Sequence, residues 1–404
     1  MSANPLLKVT LLSSEWRSSK GGLSTISREL AIELAKHPNV EVCIYLPMCS
    51  EEDRKLAGSH KVQLIEAEEL PGFDQPLDWL TSLPKNHHPH WVVGHGLHLG
   101  QQIPIIKQHH ECKWIQVVHT TPEELGMYKS YDEAISKGEQ KHQAEVKLCQ
   151  RADQIVAVGP KLTDAYSRYL RFSGKDQDVI NLTPSIFTEF QSVQQATEER
   201  STFCVLVFGL GDSEDFKLKG YDIAVRAIGE LKDSSYQLMF VGAPTGKEDD
   251  VAAKLLEHGI PPSQLIVRSF NESKEELAKL FCEVDLAIMA SRTEGFGLTA
   301  LGALSAGLPV LVSDNSGLGD ALKKVASGTH HVVDSEDPIE WAKAIRKVRL
   351  KGRVVRLEEA KLLREKYAVK YSWQEQCGDL VEKMCHLTFG RINACMVFNL
   401  HSYF

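Results

Sequence analysis

The chain is 404 residues long, carries a formal net charge of -8, and is 43% hydrophobic and 25% charged. Two domains with separate cores are expected from that length, and the acidic balance, with no block of basic residues, argues against nucleic acid as a partner. Nine scattered cysteines without a C-x-x-C pair read as reduced thiols, no segment approaches a membrane-spanning apolar run, and the N-terminus lacks a signal-peptide pattern, so a cytoplasmic protein without a transmembrane segment is expected.

In chain order, short β-branched runs alternate with longer amphipathic stretches. The first half offers strands at KVTLLS (8–13), VEVCIYLP (40–47), WVVGHG (91–96), WIQVVHT (114–120) and QIVAVG (154–159), with helices predicted over 23–37 and 137–152. Segment 184–201 is polar, lacks a period and separates this half from a second. There the strands are FCVLVFGLG (203–211), QLMFVGAP (237–244), QLIVRSF (264–270), DLAIMAS (285–291) and PVLVSD (309–314), with helices over 221–232, 248–259 and 274–284 between them. After 337 the chain turns helical, and the last eighteen residues, from Leu387 on, show no helical period. Alternation of strand and helix predicts α/β architecture with parallel sheets, doubly wound in each half, and ligands at the carboxyl ends of the strands.

Four stretches carry chemistry. After the first strand, Gly21 and Gly22 precede a helix whose bare amides suit an anion or an oxygen-rich ligand, although a glycine pair is also an ordinary turn device. The histidine-rich stretch with His87, His88, His90, His95 and His98 has no carboxylate or thiolate at ligand spacing, so no metal is expected. His95 and His119 differ from the rest because each ends a predicted strand, where a polar tip enters the cleft; a local structural partner is the alternative for both.

In GLGDSEDFKLKGYDIAV, Lys217 and Lys219 come just before a helix start, a place to hold a diphosphate, without the spacing of a P-loop. In SRTEGFGLTALGALSAGLPV, Glu294 stands at a strand end, Gly295 and Gly297 allow close backbone approach, and the amides of Leu298 and Thr299 open a helix. A carboxylate for hydroxyls beside free amides for phosphate matches the needs of a nucleotide sugar.

Taken in order, GG (21–22), VVHT (117–120), ADQIVAVG (152–159), KG (219–220), FVG (240–242), ASRTEGFGLTAL (290–301), SAGLPVLVS (305–313) and YSW (371–373) resemble the family 4 retaining glycosyltransferases over about residues 5 to 385. The resemblance implies the GT-B fold: two facing Rossmann-like, doubly wound domains with a C-terminal helix returning to the first. Its divisions are residues 1–190 on the acceptor side, 191–370 for the nucleotide sugar, a bracing helix at 371–386 and a tail at 387–404. It also implies roles. His119, Lys219 and Glu294 are the catalytic candidates, with His119 at the donor sugar, Lys219 on the diphosphate and Glu294 on sugar hydroxyls. Gly21, Gly22, Lys217, Arg268, Gly295, Phe296, Gly297, Leu298, Thr299 and Asp320 bind the donor, the backbone from Arg268 to Phe270 holds the base, and His95 lies on the acceptor side. A nucleotide-diphosphate sugar is the donor substrate, no metal or other cofactor is expected, the acceptor is unidentified, and a homo-oligomer is left open.

Three positions depart from the family pattern. Eight residues after Glu294, where the family carries a second Glu for the ribose, this chain has Gly302; losing hydrogen bonds to a charged group costs roughly 1–3 kcal/mol of donor affinity if nothing replaces it. Leu210 stands where the family has a phosphate-binding Arg, and Asp320 stands for a Glu. Two function classes therefore stay open: a hexosyltransferase, and a catalytically impaired nucleotide-sugar-binding or scaffolding module derived from one.

Overall fold

The computed structural model describes residues 5–17, 21–211, 214–269 and 273–390. Seven parallel strands form the first sheet: β1 (Leu7–Leu12), β2 (Val40–Leu46), β3 (Val62–Glu66), β4 (Trp91–His95), β5 (Lys113–Val118), β6 (Gln154–Val158) and β7 (Val179–Leu182), in the order β3-β2-β1-β4-β5-β6-β7. Six form the second: β8 (Phe203–Phe208), β9 (Tyr236–Ala243), β10 (Leu265–Ser269), β11 (Leu286–Met289), β12 (Val310–Ser313) and β13 (Val332–Val333), in the order β10-β9-β8-β11-β12-β13.

Each sheet reverses its order once, between β1 and β4 and between β8 and β11. Connections leaving two adjacent strands there go to opposite faces, which opens a crevice at the carboxyl ends. Central strands are covered on both faces: every residue of β4 and of β6 is buried, as their unbroken apolar runs require. The edge strands β3 and β7 and the last strand β13 have no counterpart in the sequence reading, because they are short and half-exposed.

One apolar cluster joins the halves. It runs from Val9, Leu11, Val117 and Tyr166 of the first to Phe296, Leu301, Leu304 and Leu318 of the second, through Ile186, Phe187 and Phe190 of the connection. Two further clusters, around Trp114 and around Phe240, cover the remaining faces of the two sheets.

At the C-terminus, helices Pro338–Leu350, Arg353–Lys370 and Trp373–Phe389 follow one another. The last begins where the Ser372 side chain accepts from the Glu375 amide, a capping contact that satisfies an otherwise unpaired donor. It lies on the first half: the Trp91 indole donates to Thr388 Oγ1 at 2.9 Å, and His90 meets the Phe389 ring edge-on at 5.4 Å. The expected return of a C-terminal helix is thus present, but it extends to Phe389 rather than ending at 386. Of the expected tail, residues 391–404 lie outside the described residues, Cys395 among them. The eight described cysteines are unpaired, and among the described residues no helix is long and apolar enough to cross a membrane.

Candidate active site

In the second half, the site is built at the β8/β11 reversal. The loop after β8 ends at Lys219 and Gly220; a β-carbon on Gly220, at φ 65°, would lie 1.9 Å from the Ala290 carbonyl oxygen. Only glycine allows that approach, and it brings Lys219 Nζ to 2.7 Å from Glu294 Oε2. Burial pushes the Lys219 ammonium down, but Glu294 outweighs it and holds its pKa above the ordinary value. Ser291 Oγ adds a longer contact to the same carboxylate oxygen, at 3.5 Å.

The Glu294 loop is pinned from within its own half. Its amide donates to Asn315 O at 3.1 Å, and Asn315 Nδ2 donates to Arg292 O at 2.6 Å. Arg292 grips Asp222 with two parallel bonds of 2.8 and 2.9 Å and donates to Lys217 O at 2.5 Å, locking the lysine loop to the glutamate loop. Gly297, at φ 109°, then starts helix Leu298–Ser305 without a side-chain cap. The amides of Leu298 and Thr299 therefore lack intrahelical partners and carry the positive end of the helix dipole.

The first half contributes the ends of β4 and β5. His95 Nδ1 and His119 Nε2 lie 3.0 Å apart. Burial lowers His119 to about 3 and His95 well below the ordinary histidine range. Both rings are thus neutral near pH 7, and a neutral pair shares one proton donor and one acceptor. His95 is fully buried, with the His119 ring as its side-chain partner. Beneath them, Glu145 is buried with Oε1 unpartnered, 3.8 Å from the position of a β-carbon on Gly96. Burial raises its carboxyl to about 8. The sequence reading missed Glu145 because it sits inside an ordinary amphipathic helix, Ala134–Arg151.

The two halves meet at these residues. A β-carbon on Gly295 would lie 2.0 Å from the His119 carbonyl oxygen, and one on Gly22 would lie 3.1 Å from Leu298 Cδ1. The Phe296 ring packs against the first half, where a β-carbon on Gly159 would lie 2.5 Å from its Cδ2. So Gly22, His119, Lys219, Glu294, Gly295 and Leu298 converge on one cleft, and Gly21, with φ 110°, opens the helix that faces it.

The Arg268 side chain runs to Glu283 at 2.6 Å, and Glu283 ends helix Lys274–Glu283, ahead of β11 and away from the carboxyl ends. Phe270, expected at the base, lies outside the described residues. Asp320 pairs with Lys323 at 3.1 Å, and Lys217 is exposed. Leu210, at the family's arginine position, is 67% exposed. Gly302 is buried, and a β-carbon there would point at Phe190 and Phe281, each 3.8 Å away, and at Phe187, 4.0 Å away. The missing carboxylate position is thus bordered by phenyl rings. Among the described residues, no group of three or more His, Cys, Asp or Glu side chains is arranged to hold a metal ion.

Two parallel-sheet domains meeting at their carboxyl ends, with a lysine, a glutamate and free helix amides at the seam, define a glycosyltransferase of the GT-B class. The family model described as family 4 glycosyltransferase in conflict systems matches residues 10–380, and the chain belongs to that family. It is similar to the D-inositol 3-phosphate glycosyltransferase of Corynebacterium diphtheriae, 26% identical over 80% of this chain and 81% of the relative. The enzyme of the same name from Paenarthrobacter aurescens is 25% identical over 89% and 86%. Among solved structures, a sucrose-phosphate synthase from Thermosynechococcus elongatus superposes with a TM-score of 0.71 at 16% identity, covering 94% of this chain and 99% of its own. Anabaena HepE in complex with UDP and glucose superposes at 0.66 with 14% identity, covering 93% and 99%. At those identities the likeness is one of fold.

Proposed function

We propose that the chain is a retaining hexosyltransferase that moves a sugar from a nucleotide-diphosphate sugar to an acceptor hydroxyl. The observation that carries this reading is the Lys219–Glu294 pair beside the free amides of Leu298 and Thr299, facing His119 across the cleft. As the glycosidic bond to the diphosphate breaks, negative charge grows on the leaving oxygens. An ammonium and two helix amides fixed beforehand stabilise that charge without reorganising. Glu294 keeps Lys219 protonated and offers its carboxylate to donor-sugar hydroxyls.

Neutral His119 donates or accepts a hydrogen bond at the sugar and adds no charge that competes with an oxocarbenium-like centre. Contact between Gly295 and the His119 carbonyl excludes water from the reacting carbon, which favours transfer over hydrolysis. Charge on the diphosphate is met by Lys219 and the helix dipole, so the reading calls for no metal. A cytoplasmic setting accords with eight unpaired cysteines.

A second reading, a nucleotide-sugar-binding module with impaired turnover, is favoured by the three phenyl rings at Gly302 and the exposed Leu210. One experiment separates them. The purified chain is incubated with UDP-, GDP- and ADP-glucose, with and without inositol phosphate, the acceptor for which the relatives are named. Nucleotide release and product anomer are followed, and binding is measured by calorimetry. Acceptor-dependent release with retained anomeric configuration supports transfer. Binding without release leaves the second reading, and no binding at millimolar donor overturns both.

A further inference from the structure

Residues outside the expected site hold the Glu294 loop from across the cleft. Thr293, next to Glu294 and 2% exposed, donates from Oγ1 to Glu124 Oε2 at 2.7 Å and accepts from Lys161 Nζ at 2.7 Å. Lys161 also pairs with Glu124 Oε2 at 3.0 Å and donates to Asn315 O at 3.3 Å. Its ammonium has three protons, and these contacts give it three acceptors. Glu124 and Lys161 belong to the first half, in the opening turns of helices Pro122–Tyr128 and Pro160–Leu170 that follow β5 and β6. Thr293 and Asn315 belong to the second. Partial burial pushes the Glu124 carboxyl up, but Thr293 and Lys161 outweigh it and keep the group below its ordinary value, so it is ionised at neutral pH.

We infer that Glu124, Lys161 and Thr293 form an interdomain clamp that adds to the loop's contacts within its own half and fixes Glu294 opposite His119 when the halves are closed. The three are positioning residues, since each acts through the loop rather than on a ligand. Asn315 makes the coupling direct. It accepts from Lys161 and from the Glu294 amide through one carbonyl oxygen, while its side chain holds the Arg292 carbonyl. Releasing Lys161 therefore frees the same loop at two points. Nothing in the sequence marks the clamp except that each first-half member follows the carboxyl end of a strand, where cleft residues gather.

The inference rests on the transferase reading for its catalytic consequence and not for its structural one, so its test has two arms. Hydrogen exchange of the full chain is measured for wild type, Lys161→Met, Thr293→Val and Lys161→Arg without ligand. Loss of a charge-assisted bond is expected to speed exchange about tenfold or more at 119–121 and 293–297 in the first two, while strands β4, β6, β8 and β11 keep wild-type protection. Lys161→Arg, which keeps a cation, restores slow exchange. With UDP-glucose as the probe, kcat falls about tenfold in Thr293→Val while KM changes less, because the loss concerns placement of a group that acts in the transition state. Unchanged exchange at both loops, or faster exchange throughout the first sheet, overturns the clamp. If wild type does not turn over UDP-glucose, the exchange arm alone decides the clamp, and the transferase reading is judged separately by the full donor series.

Discussion

Replacing Gly302 by alanine isolates what the missing carboxylate position has become. Gly302 lies inside the eight-residue helix Leu298–Ser305 and is buried. Alanine is better than glycine in a helix interior by about 1 kcal/mol, and a buried methyl contributes about 0.8 kcal/mol more. The new β-carbon meets Phe187, Phe190 and Phe281 at 3.8 to 4.0 Å, ordinary contact distances that call for no repacking. Gly302→Ala should therefore stabilise the second half by roughly 1–2 kcal/mol, or about 3–6 °C in its transition at the slope usual for domains of this size.

Gly302→Glu should do the opposite. Its side chain starts toward the three rings, and a buried carboxylate without a partner costs several kcal/mol or loses its charge. Scanning calorimetry of both variants gives the stabilities, and titration with UDP-glucose gives the affinities. Destabilisation by alanine would show that the rings leave no room. Tighter donor binding by the glutamate variant at unchanged stability would show that the position is still a ligand site.

Three further outcomes follow from the site. Lys219→Ala should lower turnover about a hundredfold, the worth of a charge-assisted contact to a developing oxyanion, whereas exposed Lys217→Ala should change it little; steady-state kinetics showing the reverse order would refute the assignment. Gly295→Ala places a β-carbon 2.0 Å from the His119 carbonyl oxygen, so the halves must part. Turnover should drop sharply and the thermal midpoint should fall, because the apolar cluster that joins the halves is opened, and wild-type turnover would contradict the closed geometry.

Glu145, raised to about 8 by burial, keeps its proton in the native state while the unfolded chain has already lost it above its ordinary value. Its contribution is thus fully present below the unfolded pKa and is lost as pH rises toward 8. Urea denaturation should show wild type losing more stability between pH 5 and pH 9 than Glu145→Gln, and parallel curves would refute the shift. pH 5 and pH 9 are chosen to bracket roughly that window.

The central strands were legible because burial on both faces leaves continuous apolar runs, as in WVVGH of β4 and QIVAV of β6. β3 and β7 were not, since each is short and largely uncovered at the edge of its sheet, without a continuous buried run. Helix Pro160–Leu170 was also missed, although Gly159 and Pro160 mark its start. In the site, Glu294, Lys219 and the glycines could be read because tight turns and free amides restrict the residue types that serve. The contact of Arg268 with Glu283 could not be read, since a strand pattern does not say which partner a long side chain will find.

By itself the sequence determined the alternation of strand and helix, the glycines that let Lys219 approach Glu294, and the absence of an acid at 302. All of these depend on local periodicity or on single residue types. Tertiary structure alone decided that His95 pairs with His119, that phenyl rings border Gly302, and that Lys161 and Glu124 reach Thr293 across 132 and 169 positions of chain. Those contacts arise where two independently patterned sheets are pressed together at their carboxyl ends, and no periodicity within either half records which loops the packing will bring into contact.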